Sequence, residues 1–178
     1  MNNLEKLEKV LDKNLYGKGS AKSWQALVQE VESEECKILW EDNIPIRQVS
    51  VLRIEVIAAR ECSNYSGMRL HEAYQEFIDG RRRERNLPGL SEKIKPDESI
   101  NEAVIRAVHE ELDIDTSLVS IQLNPCQETE EKYSPSYPGL LTRYSFRDAT
   151  AILSVETVRP QYVEVQEDKK TVFEWRTA

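Results

Sequence analysis

Residues 93–114 read KIKPDESINEAVIRAVHEELDI, and the way this stretch folds decides how the rest of the chain is arranged. Ser99 and Glu102 stand three apart ahead of an apolar-periodic run, the spacing at which a hydroxyl and a carboxylate each cap the other's backbone N–H, so a helix is predicted from about Ile100. Ile100, Val104, Val108 and Leu112 form its apolar stripe. Asp113 follows, a residue that tolerates the left-handed conformation in which helices commonly end. Successive helical residues rotate by about 100°, so positions 107, 110 and 111 share a face, and His109 lies roughly 200° from position 107. Taken alone, the adjacent Glu110 and Glu111 read as a solvated face, and Glu98 as a carboxylate favoured by the helix dipole.

The same stretch resembles the Nudix box of the MutT-like superfamily, G-x5-E-x7-R-E-U-x-E-E-x-G-U with U aliphatic. Without a gap, Glu98 takes the first Glu, Arg106 the Arg, Val108 the first aliphatic position, Glu110 and Glu111 the Glu pair, and Ile114 the last aliphatic position. Glu92 and Asp113 stand where the family has Gly, and Ala107 where it has the Glu that follows Arg. The segments DGRRRERNLPGLSEKIKPDES (79–99) and SPSYPGLLTRY (134–144) further resemble a plant and cyanobacterial branch of Nudix-domain proteins, over residues 24–176. What the resemblance implies is an α/β fold, a Nudix-like α/β/α sandwich with a mixed β-sheet, carrying an N-terminal helical extension. It also implies an ion pair between Glu98 and Arg106 that braces the loop, and Glu110 and Glu111 as ligands of Mg²⁺ or Mn²⁺ held against a diphosphate.

Hard divalent ions take oxygen ligands and complete their shell with phosphate oxygens, and such an ion acts as Lewis acid and template for attack by water. Ala107 removes a family ligand or base, and loss of a general base costs about 10² to 10⁴ in rate. Activity therefore requires another carboxylate. The candidates are Glu128, Glu130 and Glu131 in the long connection, or Glu164 and Glu167 near the C-terminus. The implied activity is divalent-metal-dependent cleavage of a nucleoside diphosphate linked to another moiety. The alternative is a catalytically silent module that binds a nucleotide-like ligand or a protein partner. A homodimer is compatible with the added helices.

Outward from the box, Leu4, Leu7, Val10 or Leu11, and Leu15 predict an amphipathic helix over 3–15, and Trp24, Leu27, Val28 and Val31 predict a second. Residues 17–22, GKGSAK, read as a joint, so residues 1–22 form an N-terminal appendage and 23–178 the domain. KILW and RQVSVLRIEVIAA read as strands. In the longer one Val49 and Val51 share one face and Leu52, Ile54 and Val56 the other, the mark of a bulge or of burial on both faces. Asp79-Gly80 between two extended arms predicts a tight hairpin, followed by Leu87-Pro88-Gly89. LVSIQL reads as a strand, 124–139 as irregular, and 140–146, 149–155 and 171–175 as strands.

At 178 residues, 39% hydrophobic and 31% charged, the chain is a globular protein with no run long enough to span a bilayer. MNNLEKLEKVLDK lacks the apolar core of a signal peptide, so a cytoplasmic setting is expected. Cys36, Cys62 and Cys126 lack C-x-x-C spacing and read as packing thiols. A net charge of -8 disfavours nucleic-acid polymers, which need clustered cations, but leaves room for a small nucleotide-like phosphate ester. Arg83 and Arg85, in the run Arg81, Arg82, Arg83 and Arg85, could hold phosphate; as a charged exposed strand they hold nothing. Tyr137 could stack on a ligand or anchor its Pro-rich loop to the core. His71 and His109 read as structural, and no Walker, G-x-S-x-G or Rossmann motif is present.

Overall fold

The computed structural model describes residues 3–177. Three helices and nine strands occur among them: α1 (Asn3–Val10), α2 (Trp24–Glu32), β1 (Lys37–Glu41), β2 (Ile44–Ala58), β3 (Met68–Phe77), β4 (Arg82–Pro88), β5 (Leu90–Lys93), α3 (Ile100–Leu112), β6 (Val119–Tyr133), β7 (Leu141–Leu153), β8 (Gln161–Val165) and β9 (Lys169–Thr177). The strand order is β6-β7-β2-β3-β9-β8, with β1 and β5 also paired to β2 and β4 to β3. The expected α/β class with a mixed sheet is what the chain adopts. No helix among the described residues is long and apolar enough to cross a membrane.

The chain divides into two compact units. Among the described residues the first comprises 3–51, 93–97 and 127–146. Its core is Leu7, Leu11, Tyr16, Leu27, Ile38, Tyr137 and Leu140. The Tyr16 and Trp24 rings meet edge to face at 5.3 Å. Buried beside them is a charged hub. Glu30 accepts from Arg47 at 2.5 Å, and Lys22 and Lys93 lie 2.8 and 3.0 Å from its other oxygen. Burial alone would raise the Glu30 carboxyl, but Lys22 and Arg47 pull it far below the usual carboxylate range.

The helix expected over 3–15 stops at Val10, and a 3₁₀ turn follows at Lys13–Leu15. The cause is local: the Asp12 side chain accepts from the Asn14 N–H and caps the new turn instead of prolonging the old one. The segment 124–139, expected to be irregular, is strand up to Tyr133. β6 ends the strand order, where Pro125 and a row of exposed charged side chains are tolerated, so its polar composition conceals a strand. Irregular chain is confined to the turn around Ser134–Leu140, whose Tyr137 and Leu140 N–H groups bond to Ser134 and Tyr137 carbonyls.

The second unit comprises residues 52–92, 98–126 and 147–178. β3 pairs with β4 and β9, and β8 with β9, all antiparallel. The Asp79-Gly80 hairpin forms as its sequence predicts: Gly80 has φ +83° and the Phe77 N–H bonds the Arg81 carbonyl at 2.8 Å. In β2 the buried positions change parity between Val49 and Leu52, the shift of phase that the sequence predicts. Residues 141–153 form one continuous strand rather than two. β8 is an element that the periodicity does not announce.

Candidate metal and ligand site

Helix α3 begins as its sequence requires. The Ser99 hydroxyl accepts from the Glu102 N–H and the Glu102 carboxylate from the Ser99 N–H, a complete capping box. It ends on Asp113 in the left-handed conformation, φ 51°. Its buried stripe is Ala103, Val104, Ala107, Val108 and Leu112, while Ile100 is only half-buried. Ala107 is 0% exposed. The face that position 107 shares with 111 is thus turned into the unit, and a Glu at 107 would carry its charge into the core.

Ahead of the helix the chain makes a crossing that admits only glycine. Gly89 has φ +62°, and a Cβ there would fall 1.8 Å from the Ile54 carbonyl oxygen. Past it, Arg106 gathers three carboxylates. Its guanidinium forks onto Glu98 at 2.7 and 3.0 Å, donates to Glu92 at 3.0 Å and reaches Glu110 at 3.4 Å. Glu98 raises the Arg106 pKa above its usual value, and Glu92 adds to the effect.

Glu111 is the most perturbed carboxyl of this region. Burial first, and then the charges of Glu164, Glu92, Glu72 and Glu110, push it up to about 8. Among the described residues, however, no three His, Cys, Asp or Glu side chains converge closely enough to hold a metal ion as they stand. Glu110 is 51% exposed and held loosely by Arg106.

The candidate bases fall into separate places. Glu164, on β8, is partly buried and acts on Glu111 through its charge, while its Oε1 accepts from the Gln166 amide at 2.6 Å. Glu167 is exposed in the turn after β8. Glu128, Glu130 and Glu131 belong to the first unit, where Glu130 pairs with Lys132 and Glu131 with Arg143. Arg83 is exposed on β4, whereas Arg85 is engaged with Glu72 at 3.2 Å. Tyr137 is 1% exposed, with the Arg47 guanidinium 4.7 Å above its ring, so it anchors its loop and offers no face for ligand stacking.

Sequence reasoning did not single out Glu72 or Glu92 as members of the acidic cluster, nor His71 as part of a cavity. Glu72 pairs across β3 and β9 with Phe173, 101 residues later in the chain, so no local spacing announces it. Its Oε1 is buried and lies 3.2 Å from Arg85 Nε in an ion pair without hydrogen-bond geometry, and Nδ1 of His71 is buried without a hydrogen-bond partner. A cavity of about 820 Å³ lies within the second unit, lined by β2, β3 and β7 residues and by Leu87–Ser91. Ser91 on its wall precedes Glu92 of the acidic cluster in the chain.

No family model matches the chain, and no curated protein matches it. Solved structures do. The chain is similar to the E. coli dihydroneopterin triphosphate pyrophosphohydrolase, with TM-score 0.48, 16% identity, and 71% of this chain and 78% of that one covered. It is similar to a Nudix-family hydrolase from Clostridium perfringens, with TM-score 0.38, 14% identity and coverage of 73% and 81%. A Nudix hydrolase from M. smegmatis aligns with TM-score 0.39, 13% identity and coverage of 79% of each chain. Nudix hydrolases are thus among the solved structures this chain is similar to, and theirs is the family whose box residues 92–114 resemble.

Proposed function

We propose that this chain is a Nudix-type hydrolase that cleaves, slowly and with a divalent metal ion, a nucleoside diphosphate linked to another moiety. The observation that carries this reading is the crowding of Glu111 by Glu164, Glu92, Glu72 and Glu110. Four carboxylates raise the cost of ionising the buried Glu111, although Arg106 also holds Glu92 and Glu110 and Arg85 holds Glu72, and a doubly charged cation relieves that repulsion. The donors are all oxygen, as Mg²⁺ or Mn²⁺ prefers.

In this reading Glu110 and Glu111 are the residues that would hold the metal, and the Glu98–Arg106 fork braces the loop ahead of the helix. The metal would supply Lewis acidity toward a phosphoryl oxygen. Glu164 stands in for the carboxylate that Ala107 lacks and takes the proton of the attacking water. A small nucleotide-like phosphate ester is the partner of this site.

The second reading is a silent module that binds a nucleotide-like ligand, favoured by the buried Ala107 and by carboxylates that do not yet converge. Manganese titration followed by electron paramagnetic resonance, with hydrolysis assays on ADP-ribose, NADH and nucleoside triphosphates, separates the two. The enzyme reading expects bound Mn²⁺ and turnover that falls at least about 10²-fold in Glu111→Gln. Absence of Mn²⁺ binding, or binding without turnover of any of these compounds, leaves the silent module.

A further inference from the structure

We infer that Arg83 is the residue of the second unit that binds a phosphoryl group of the ligand, at the far end of a row of side chains that begins with Glu164. This deepens the proposed function and rests on that reading for the reaction, while the binding it describes holds for the silent module as well.

The row follows from strand register. Glu164 of β8 lies opposite Thr171 of β9, Thr171 opposite Gln75 of β3, and Gln75 opposite Arg83 of β4. Cross-strand partners point to the same face of a sheet. The irregularity between Glu72 and Tyr74 gives β3 an extra residue, so Glu72, opposite Phe173, shares this face with Gln75. Glu72 and Glu164 are two of the carboxylates that act on Glu111, so this is the face that carries the acidic cluster. Thr171 and Gln75, in the middle of the row, are 3% and 7% exposed. The next row, Val165, Lys170, Glu76 and Arg82, lies on the opposite face, and all four of its residues are exposed. Arg82 and Arg83 are therefore neighbours in the chain on opposite faces, and only that of Arg83 carries the cluster.

The other arginines of this arm are committed. Arg81 donates to Asp79 at 2.7 Å, Arg82 donates to Glu84 at 2.6 Å with its guanidinium 3.5 Å over the Tyr74 ring, and Arg85 lies 3.2 Å from Glu72. Arg83 has no ion pair, side-chain hydrogen bond or ring contact among the described residues. Its N–H donors are open to a ligand, and the planar fork of a guanidinium matches two phosphoryl oxygens. Three strand spacings, about 14 Å, separate its backbone from that of Glu164, and a long side chain leaning along the row shortens the gap. A ligand whose reacting phosphorus lies by Glu164 would extend its second phosphoryl group toward Arg83, past the Thr171 hydroxyl and the Gln75 amide. Charge on an edge strand also deters pairing with other chains, and β4 bonds only β3. Arg82 serves that purpose as well as Arg83, so it does not account for the difference between them.

Isothermal titration with inorganic pyrophosphate in the presence of Mg²⁺ reads this binding without reading turnover. Arg83→Ala is expected to weaken it at least about tenfold, and Arg83→Lys, which keeps the charge but not the fork, by less. Arg82→Ala removes the same charge from the neighbouring residue and is expected to change binding by less than about twofold, because a charge on the opposite face is screened by salt. Equal weakening by the two alanine variants overturns the inference. So does unchanged binding in Arg83→Ala, or no binding by the parent. Pyrophosphate held through Arg83 without turnover of ADP-ribose, NADH or nucleoside triphosphates supports the inference and removes the hydrolase alone.

Discussion

An ionised Glu111 has to coexist with Glu164, Glu92, Glu72 and Glu110 in a place where burial already strips it of water. Its folded-state pKa of about 8 lies above the 4.5 of the free side chain, so between these values the folded protein holds a proton that the unfolded chain has released. Stability contributed by the protonated form is complete below about 4.5 and is lost as the pH rises through about 8. Denaturant midpoints measured in EDTA are therefore expected to fall for the parent protein between pH 5 and 8 and to stay flatter for Glu111→Gln, whose amide has no proton to lose. Parallel curves would mean that Glu111 is solvated and that the cluster is no cluster. The box resemblance made Glu110 and Glu111 legible, but not the inequality between them: one is half in solvent and the other is crowded. Burial is set by strands that the helix sequence does not contain.

At the scale of the element, the signals that could be read were those that close over a few residues. The Ser99–Glu102 box, the Asp113 stop and the Asp79-Gly80 hairpin each complete their own hydrogen bonds locally, and each forms as expected. The ends of α1 and the length of β6 depended on competition from Asp12 and on a place at the end of the strand order, and periodicity carries neither. Gly89 lies between these cases. Its sequence context marks a turn, yet the reason for glycine is the Ile54 carbonyl 1.8 Å from where a Cβ would sit. Gly89→Ala is expected to cost at least about 2 kcal/mol, combining a positive φ with a backbone clash, and to loosen the entry to α3. Differential scanning calorimetry checks this, and a variant that melts like the parent would show that the crossing yields without cost.

For the molecule as a whole, the partition into two units follows contacts between distant stretches of chain. The first unit draws its charged hub from Lys22, Glu30, Arg47 and Lys93, so three cations far apart in the chain meet around one buried carboxylate. Glu30 has a folded-state pKa far below 4.5, so its contribution is present above the unfolded value and is lost as the pH falls below it. Glu30→Gln is expected to lower stability by about 3–5 kcal/mol at pH 7, because it leaves Arg47 buried without its counter-charge. The deficit should shrink toward pH 3, as read from urea unfolding at the two pH values; a deficit that does not change with pH would remove Glu30 from the acid response.

Tyr137 and Leu140 pack in one cluster with Leu7, Leu11 and Leu27, which lie at least 110 residues earlier in the chain, so the turn that completes this cluster is made late. During synthesis the N-terminal helices leave the ribosome with their greasy side uncovered and wait for the Ser134–Leu140 turn to arrive. A nascent chain stalled before that turn is expected to be a client for chaperones, and one extended through Leu140 is not.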